Sequence, residues 1–150
     1  MRWHWQSFEQ LSVTQLYRLL AAREAVFVVE QACAYLDADG LDPEAMHLWR
    51  EDEGGALLAY ARVLPPGTRY PEVSIGRVLT TERGRGRGLG RALMAEVLRQ
   101  ISEQFGPVAV RISAQAHLQA FYQDFGFTTV STPYMEDGIL HVEMVRRDCP

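Results

Sequence analysis

Lysine is absent from these 150 residues: all 15 basic positions are arginine, set against 19 acidic residues for a formal net charge of −4. That absence excludes a Schiff base on this chain, a lysine phosphate contact of the P-loop type, and any internal lysine as an acetylation target. Cysteine is scarce too. Cys33 and Cys149 stand alone, neither in a CxxC nor in a Cys/His spacing, so the expectation is a reduced compartment and no metal. No stretch approaches the roughly 18 consecutive apolar residues of a membrane span, and Met1 to Gln6 opens no apolar run of signal-peptide length; a cytoplasmic protein with no membrane partner is expected. The acidic balance argues against a general affinity for nucleic acid, so any anion site must be local.

What is present is a chain 47% hydrophobic and 23% charged, the composition of one ordinary globular domain. Trp3, Trp5 and Phe8 suggest a first strand, and Ser12 to Gln15 has the form of a capping box opening a helix that runs through Leu16, Leu19, Leu20 and Val26. Phe27 to Glu30 is richer in β-branched residues. Gln31 to Glu44, with Gly40, Pro43 and the acidic Asp37, Asp39, Asp42 and Glu44, reads as a loop long enough to be a substrate lid. Its carboxylates are expected as a solvated cluster, with attraction of a cationic amine as the functional counterpart.

His47 to Glu51 and Leu57 to Leu64 form a hairpin turning at Gly54-Gly55, and Val73 to Leu79 follows the Pro65-Pro66-Gly67 break, giving three antiparallel strands. From Leu89 the stripe Leu89, Leu93, Val97, Ile101 and Phe105 repeats every four residues, the pattern of one helix with one buried face that ends near Gly106-Pro107. Val108 to Ile112 is a short buried strand, Gln115 to Asp124 a helix, and Phe127 to Val130 and Ile139 to Val145 complete the sheet. The order is α+β with a central βαβ crossover.

The most informative segment runs from Val78 to Arg91, a strand feeding a turn with glycines at 84, 86, 88 and 90 and then an amphipathic helix. Glycine lets the backbone take positive φ and approach a ligand closely, so successive N–H groups converge on an anion at the positive end of the helix. A dinucleotide fingerprint needs glycine where Leu89 or Arg91 stands, and a P-loop needs a Gly-Lys-Ser/Thr ending; both fail. A flexible turn or an RNA-binding arginine-glycine tract is the blander reading, but such tracts are long, and this one lies between two strongly patterned elements.

Arg85-Gly86-Arg87-Gly88-Leu89-Gly90 resembles the R/Q-x-x-G-x-G/A pyrophosphate signature of the GNAT acetyltransferases, and Ala116 to Phe127, with Tyr122 ahead of Gly126-Phe127, resembles that superfamily's second landmark. Phe27 to Gln31, Tyr60 to Arg62 and Ala114 to Gln119 look like its ElaA-type branch. The resemblance runs from about residue 7 to residue 149 as one N-acetyltransferase domain. It implies the GNAT fold, a mixed and mostly antiparallel sheet flanked by helices, whose βαβ crossover forms the acetyl-CoA site.

By position, the resemblance assigns pantetheine contacts to Val78 and Leu79, with either amide available to polarise the thioester carbonyl. It assigns the pyrophosphate to Arg85, Gly86, Arg87, Gly88, Leu89, Gly90 and Arg91, and a cofactor contact to Gln115, where many relatives carry asparagine. Tyr122 becomes the candidate acid for the departing thiolate, since a phenol near about 10 protonates the thiolate of a thiol near about 8.5 with little uphill cost. Glu30, His47, Glu136 and His141 are candidates by type for the base that deprotonates the acceptor; Glu30 and His47, flanking the lid loop, come first. The implied activity is direct acetyl transfer to an amine in a ternary complex, by a monomer or homodimer that uses acetyl-CoA as cosubstrate and no metal. A noncatalytic acyl-CoA-binding or sensing module is the alternative, and RNA binding, which would show steep salt dependence, a weaker one.

Overall fold

The computed structural model describes residues 2–147; Cys149 and the C-terminal limit expected for the domain lie outside them. The strands are β1 (Trp3–Ser7), β2 (Met46–Glu51), β3 (Leu57–Leu64), β4 (Val73–Thr80), β5 (Val110–Gln115), β6 (Thr128–Thr129), β7 (Tyr134–Glu136) and β8 (Ile139–Arg146). Among the described residues three α-helices accompany them: α1 (Val13–Arg23), α2 (Leu89–Phe105) and α3 (Gln119–Gln123). The eight strands form one sheet in the order β1-β2-β3-β4-β5-β8-β6, with β7 also on β8. Every pairing is antiparallel except β4 with β5, which the α2 crossover joins in parallel. This is the mostly antiparallel α+β architecture expected from the sequence.

Alternation along the central strands gives the sheet two buried faces. Leu48 and Ala61 are register partners and join the larger core with Leu93, Met94, Val97 and Ile101 of α2. Their neighbours Trp49 and Tyr60, also partners, join the second core with Leu19 of α1 and Val26. Ser12 caps α1 as expected: Gln15 N–H donates to its Oγ at 3.0 Å, and Ser12 N–H donates to Gln15 Oε1 at 2.9 Å.

Four local expectations are corrected. Glu24 to Glu30, β-branched in part, continues α1 as a π-helical stretch, with Gln31 N–H reaching back five residues to the Val26 carbonyl at 3.2 Å. The acidic loop is not a solvated cluster: Asp37 and Asp42 are buried, and they and Asp39 are paired with Arg23, Arg62 and Arg77. Gln115 ends β5, as the register partner of His141, instead of opening a helix; α3 starts only at Gln119 after a 3₁₀ turn over Ala116–Leu118. Finally β7 was not foreseen. It hairpins onto β8 through Asp137 (φ +50°) and Gly138 (φ +77°), the two positive φ values of a tight type I′ turn.

Candidate functional site

The parallel junction between β4 and β5 is very short: Val73 with Val110 and Ser74 with Arg111. Beyond these pairs β4 continues to Thr80 and β5 to Gln115 without pairing, so the strands diverge toward their C-terminal ends. The divergence begins after Ser74, and a little further along β4 bulges. Tyr60 pairs with Leu79 but Arg62 with Gly76, which leaves two residues, Arg77 and Val78, facing the single Ala61, one more than a regular ladder holds. Arg77 takes φ +52°, a left-handed conformation costly for a residue with a Cβ.

The bulge and the strand alternation decide which amide faces the gap. Thr81 N–H donates to Leu58 O on β3 at 3.0 Å. Two residues earlier Leu79 N–H points the same way, and Val78 N–H therefore points away from β3 into the splay. The side chains follow suit: Leu79 is buried in the second core, whereas Val78 lines the gap.

At the mouth of the gap the chain forms a 3₁₀ turn over Glu82–Gly84 and then the glycine turn. Gly84 packs so closely on β3 that an added Cβ would lie 2.3 Å from the Leu58 carbonyl oxygen, which fixes the turn against the sheet. Gly86 (φ +78°) and Gly88 (φ +71°) take left-handed conformations with open space where a side chain would project. No side chain caps α2, so the amides of Leu89, Gly90 and Arg91, which lack an intrahelical carbonyl by position, point outward at the positive end of a 17-residue helix. Arg87 is exposed. Arg85 forms a two-point contact with Glu30 at 2.7 and 3.2 Å and also reaches the Thr80 carbonyl, while Arg91 pairs with Asp124 at 2.7 Å over the rings of Phe121 and Phe125. The outward amides and the arginines of residues 85–91 make a cradle of donors that could hold an anion.

Tyr122 is 7% exposed, its ring edge-on to Phe121 and Phe127, and it forms one wall of a cavity of about 140 Å³ inside the splay. Burial pushes its phenol up to about 12, so the hydroxyl stays protonated across the physiological range. The same cavity is lined by Val78, Gln115, Ser113, Glu136 and His141.

The two first-choice bases are elsewhere. His47 is fully buried; its Nε2 bonds to the Asp42 carbonyl at 3.1 Å and its Nδ1 to the Tyr60 hydroxyl at 2.6 Å, and burial lowers its pKa. It does not reach the cavity. Glu30 is engaged by Arg85 at the cradle. The titratable pair that does line the cavity comes from the β7–β8 hairpin, where His141 Nε2 lies 3.5 Å from Glu136 Oε2. Both were among the candidates by residue type, but only the Asp137-Gly138 turn signal could have placed them together.

A bulged strand, a splayed parallel junction and a glycine cradle opening a helix define an acyltransferase of the GNAT class. The chain belongs to this family: the family model described as an acetyltransferase (GNAT) domain matches residues 16–147. Within it the chain is similar to protein ElaA of Escherichia coli, 46% identical over 148 residues covering 95% of each chain. It is also similar to the UPF0039 protein sll0451 of Synechocystis, 47% identical over 150 residues covering 100% of this chain and 97% of that one. Among solved structures, an acyl-CoA N-acyltransferase from Pseudomonas aeruginosa superposes with a TM-score of 0.92 at 42% identity, covering 97% of this chain and 98% of its own. The chain is thus an ElaA-type GNAT protein.

Proposed function

We propose that the protein is an acetyl-CoA-dependent N-acetyltransferase that moves the acetyl group to an amine by direct attack in a ternary complex, in the cytoplasm. The observation that carries this reading is the convergence on one cavity of Val78, its N–H turned into the splay, and Tyr122. The relative described as an acyl-CoA N-acyltransferase supports the same cosubstrate class.

Acetyl-CoA supplies an activated thioester. The free edges of β4 and β5 offer strand-type hydrogen bonds to its amide-bearing arm, Gln115 adds a side-chain amide at the end of β5, and residues 85–91 hold its diphosphate. Val78 N–H is the donor we assign to the thioester carbonyl; a preorganised donor of this kind is worth about 10²–10³ in rate. Tyr122 donates to the departing sulfur. With its phenol near 12, complete proton transfer to a thiolate near about 8.5 is uphill in water, but a thiolate leaving into the same dry cavity is itself made more basic, which narrows the gap. No metal enters this scheme, and the acceptor is an amine carried by a small molecule, a peptide N-terminus or a protein lysine.

The test combines calorimetry with amine-dependent thiol release for wild type and Tyr122→Phe. The expected result is acetyl-CoA binding by both, with turnover at least about tenfold lower in Tyr122→Phe. Tight binding with no turnover on a broad amine panel would identify a sensing module instead, and absence of binding by folded wild type would remove the reading.

A further inference from the structure

We propose that His141 is the base that activates the acceptor and that Glu136 receives the acceptor as an ammonium ion, which makes the substrate class a basic primary alkylamine. This rests on the acetyl-transfer reading above.

The tautomer of His141 follows from its neighbours. Nδ1 lies 2.7 Å from the Ile139 carbonyl oxygen, which can only accept, so Nδ1 carries the proton. The neutral ring then presents the bare lone pair of Nε2 toward the cavity, 3.5 Å from Glu136 Oε2. A lone pair beside a carboxylate is a poor contact, and a proton arriving on Nε2 turns it into an ion pair. The site is built to take up one proton.

The surroundings favour a cation. From β7, Glu136 faces the ring and Tyr134 stacks on it with centroids 6.2 Å apart; Asp137 flanks it from the turn. Arg69 reaches the far carboxylate oxygen of Glu136 at 3.2 Å, and Cys33 closes the side with its thiol on the Asp137 carbonyl at 3.0 Å. β5 contributes only uncharged residues, Ile112, Ser113, Ala114 and Gln115. The three other arginines near the rim of the loop are consumed by Asp37, Asp39 and Asp42, so they add no net positive field. Two carboxylates against one arginine leave an excess negative charge at the acceptor end.

The proton balance closes. RNH3⁺ docked on Glu136 gives one proton to Nε2, directly or through a water, and solvent later removes it. The freed nitrogen pair forms the C–N bond to the thioester carbon and the C–S bond breaks. The second proton leaves the nitrogen as the sulfur takes the hydrogen of Tyr122, whose hydroxyl is restored, so the products are the acetamide and the free thiol.

The experiment compares wild type, His141→Gln and Glu136→Gln with two acceptors, a basic alkylamine and a weakly basic arylamine that is already neutral at pH 7. For the alkylamine, His141→Gln is expected to lose about a hundredfold or more in kcat/KM and the ascending limb of its pH profile, with acetyl-CoA affinity retained. For the arylamine, which needs no deprotonation before attack, the same variant should lose only a few fold. Glu136→Gln, a half-buried surface change that leaves β8 intact, should raise KM for the alkylamine several fold and leave KM for the neutral arylamine nearly unchanged. Equal losses for both amines in His141→Gln, or an equal rise in KM for both in Glu136→Gln, would overturn these assignments while leaving acetyl transfer standing. No amine-dependent thiol release from wild type would overturn both.

Discussion

Arg77 Nε lies 2.8 Å from Asp37 Oδ1, so the one residue of β4 in a left-handed conformation is tied to the loop that crosses the sheet ahead of β2. Arg77 also donates to the Asp37 carbonyl at 3.0 Å, and Arg23 Nε donates to the other carboxylate oxygen of Asp37 at 2.8 Å. The bulge that turns Val78 N–H into the splay is therefore fastened from outside its own strand.

Removing that fastening has a calculable cost. Asp37→Ala leaves Arg23, fully buried, short of one carboxylate, and breaking such a pair from one side costs about 3–5 kcal/mol. At roughly 2–4 °C per kcal/mol for a chain of this size, the melting temperature should fall by roughly 6–20 °C. Arg77→Ala keeps the strained φ without its tether, and kcat should fall more than KM rises; equal changes in both would mean that the bulge does not set the Val78 amide.

Gly84, in the turn ahead of the cradle, and Gly88, within it, should respond in opposite ways. Gly84→Ala places a methyl 2.3 Å from the Leu58 carbonyl oxygen, a backbone clash, and should unfold or strongly destabilise the protein. Gly88→Glu meets open space and costs only the left-handed φ, about 1–2 kcal/mol, but puts a carboxylate where the diphosphate belongs. Acetyl-CoA binding measured by calorimetry should vanish in a protein that still melts cooperatively.

Acid should unfold the chain in two stages. Burial lowers the pKa of His47 below its ordinary 6.5, so its contribution to stability is complete above that value and is lost as pH falls below it toward the folded pKa. For Asp39 and Asp42, burial alone would raise the carboxyls, but Arg62 and Arg23 more than offset it and hold both below the ordinary 3.8. Their contribution is present above 3.8 and is lost at still lower pH. Denaturant melts carried from about pH 8 to about pH 2, below the ordinary carboxylate range, should therefore show an upper step that His47→Gln removes and the onset of a lower one that it leaves.

Ligand should stabilise by mass action. At acetyl-CoA about 100 times its dissociation constant, the gain is about 2.7 kcal/mol, which corresponds to a rise of roughly 5–11 °C in melting temperature. Gly88→Glu should show none of it.

The cradle and the helix behind it were legible because their signals are local: alternating glycines need positive φ, and the four-residue stripe of α2 is long enough to leave no other reading. The place of Tyr122 was legible through the Gly126-Phe127 turn after it, and the structure puts it on the cavity wall. The burial of His47 was not, since proximity to a loop in sequence set it beside the cavity, whereas the alternation of β2 sends its ring into the interior against Tyr60. The acidic loop misled for a related reason. Its carboxylates find partners 14 to 40 residues away in Arg23, Arg62 and Arg77, and nothing in the local composition signals such long-range pairing.

Two residue pairs are all the parallel hydrogen bonding that joins the β1–β4 half of the sheet to the β5–β8 half. The other links are α2 with the side chains packed beneath it and a few side-chain contacts such as Arg111 with Glu72 and Arg69 with Glu136. A cosubstrate lying in the gap as an extra strand would stitch the two halves into one continuous ladder, and amide exchange at Ile112 to Ala114 and at Val78 should slow together when it binds. The halves would then behave as pages on a spine, and the concentration of such a cosubstrate would become a control on how often the protein opens to proteases.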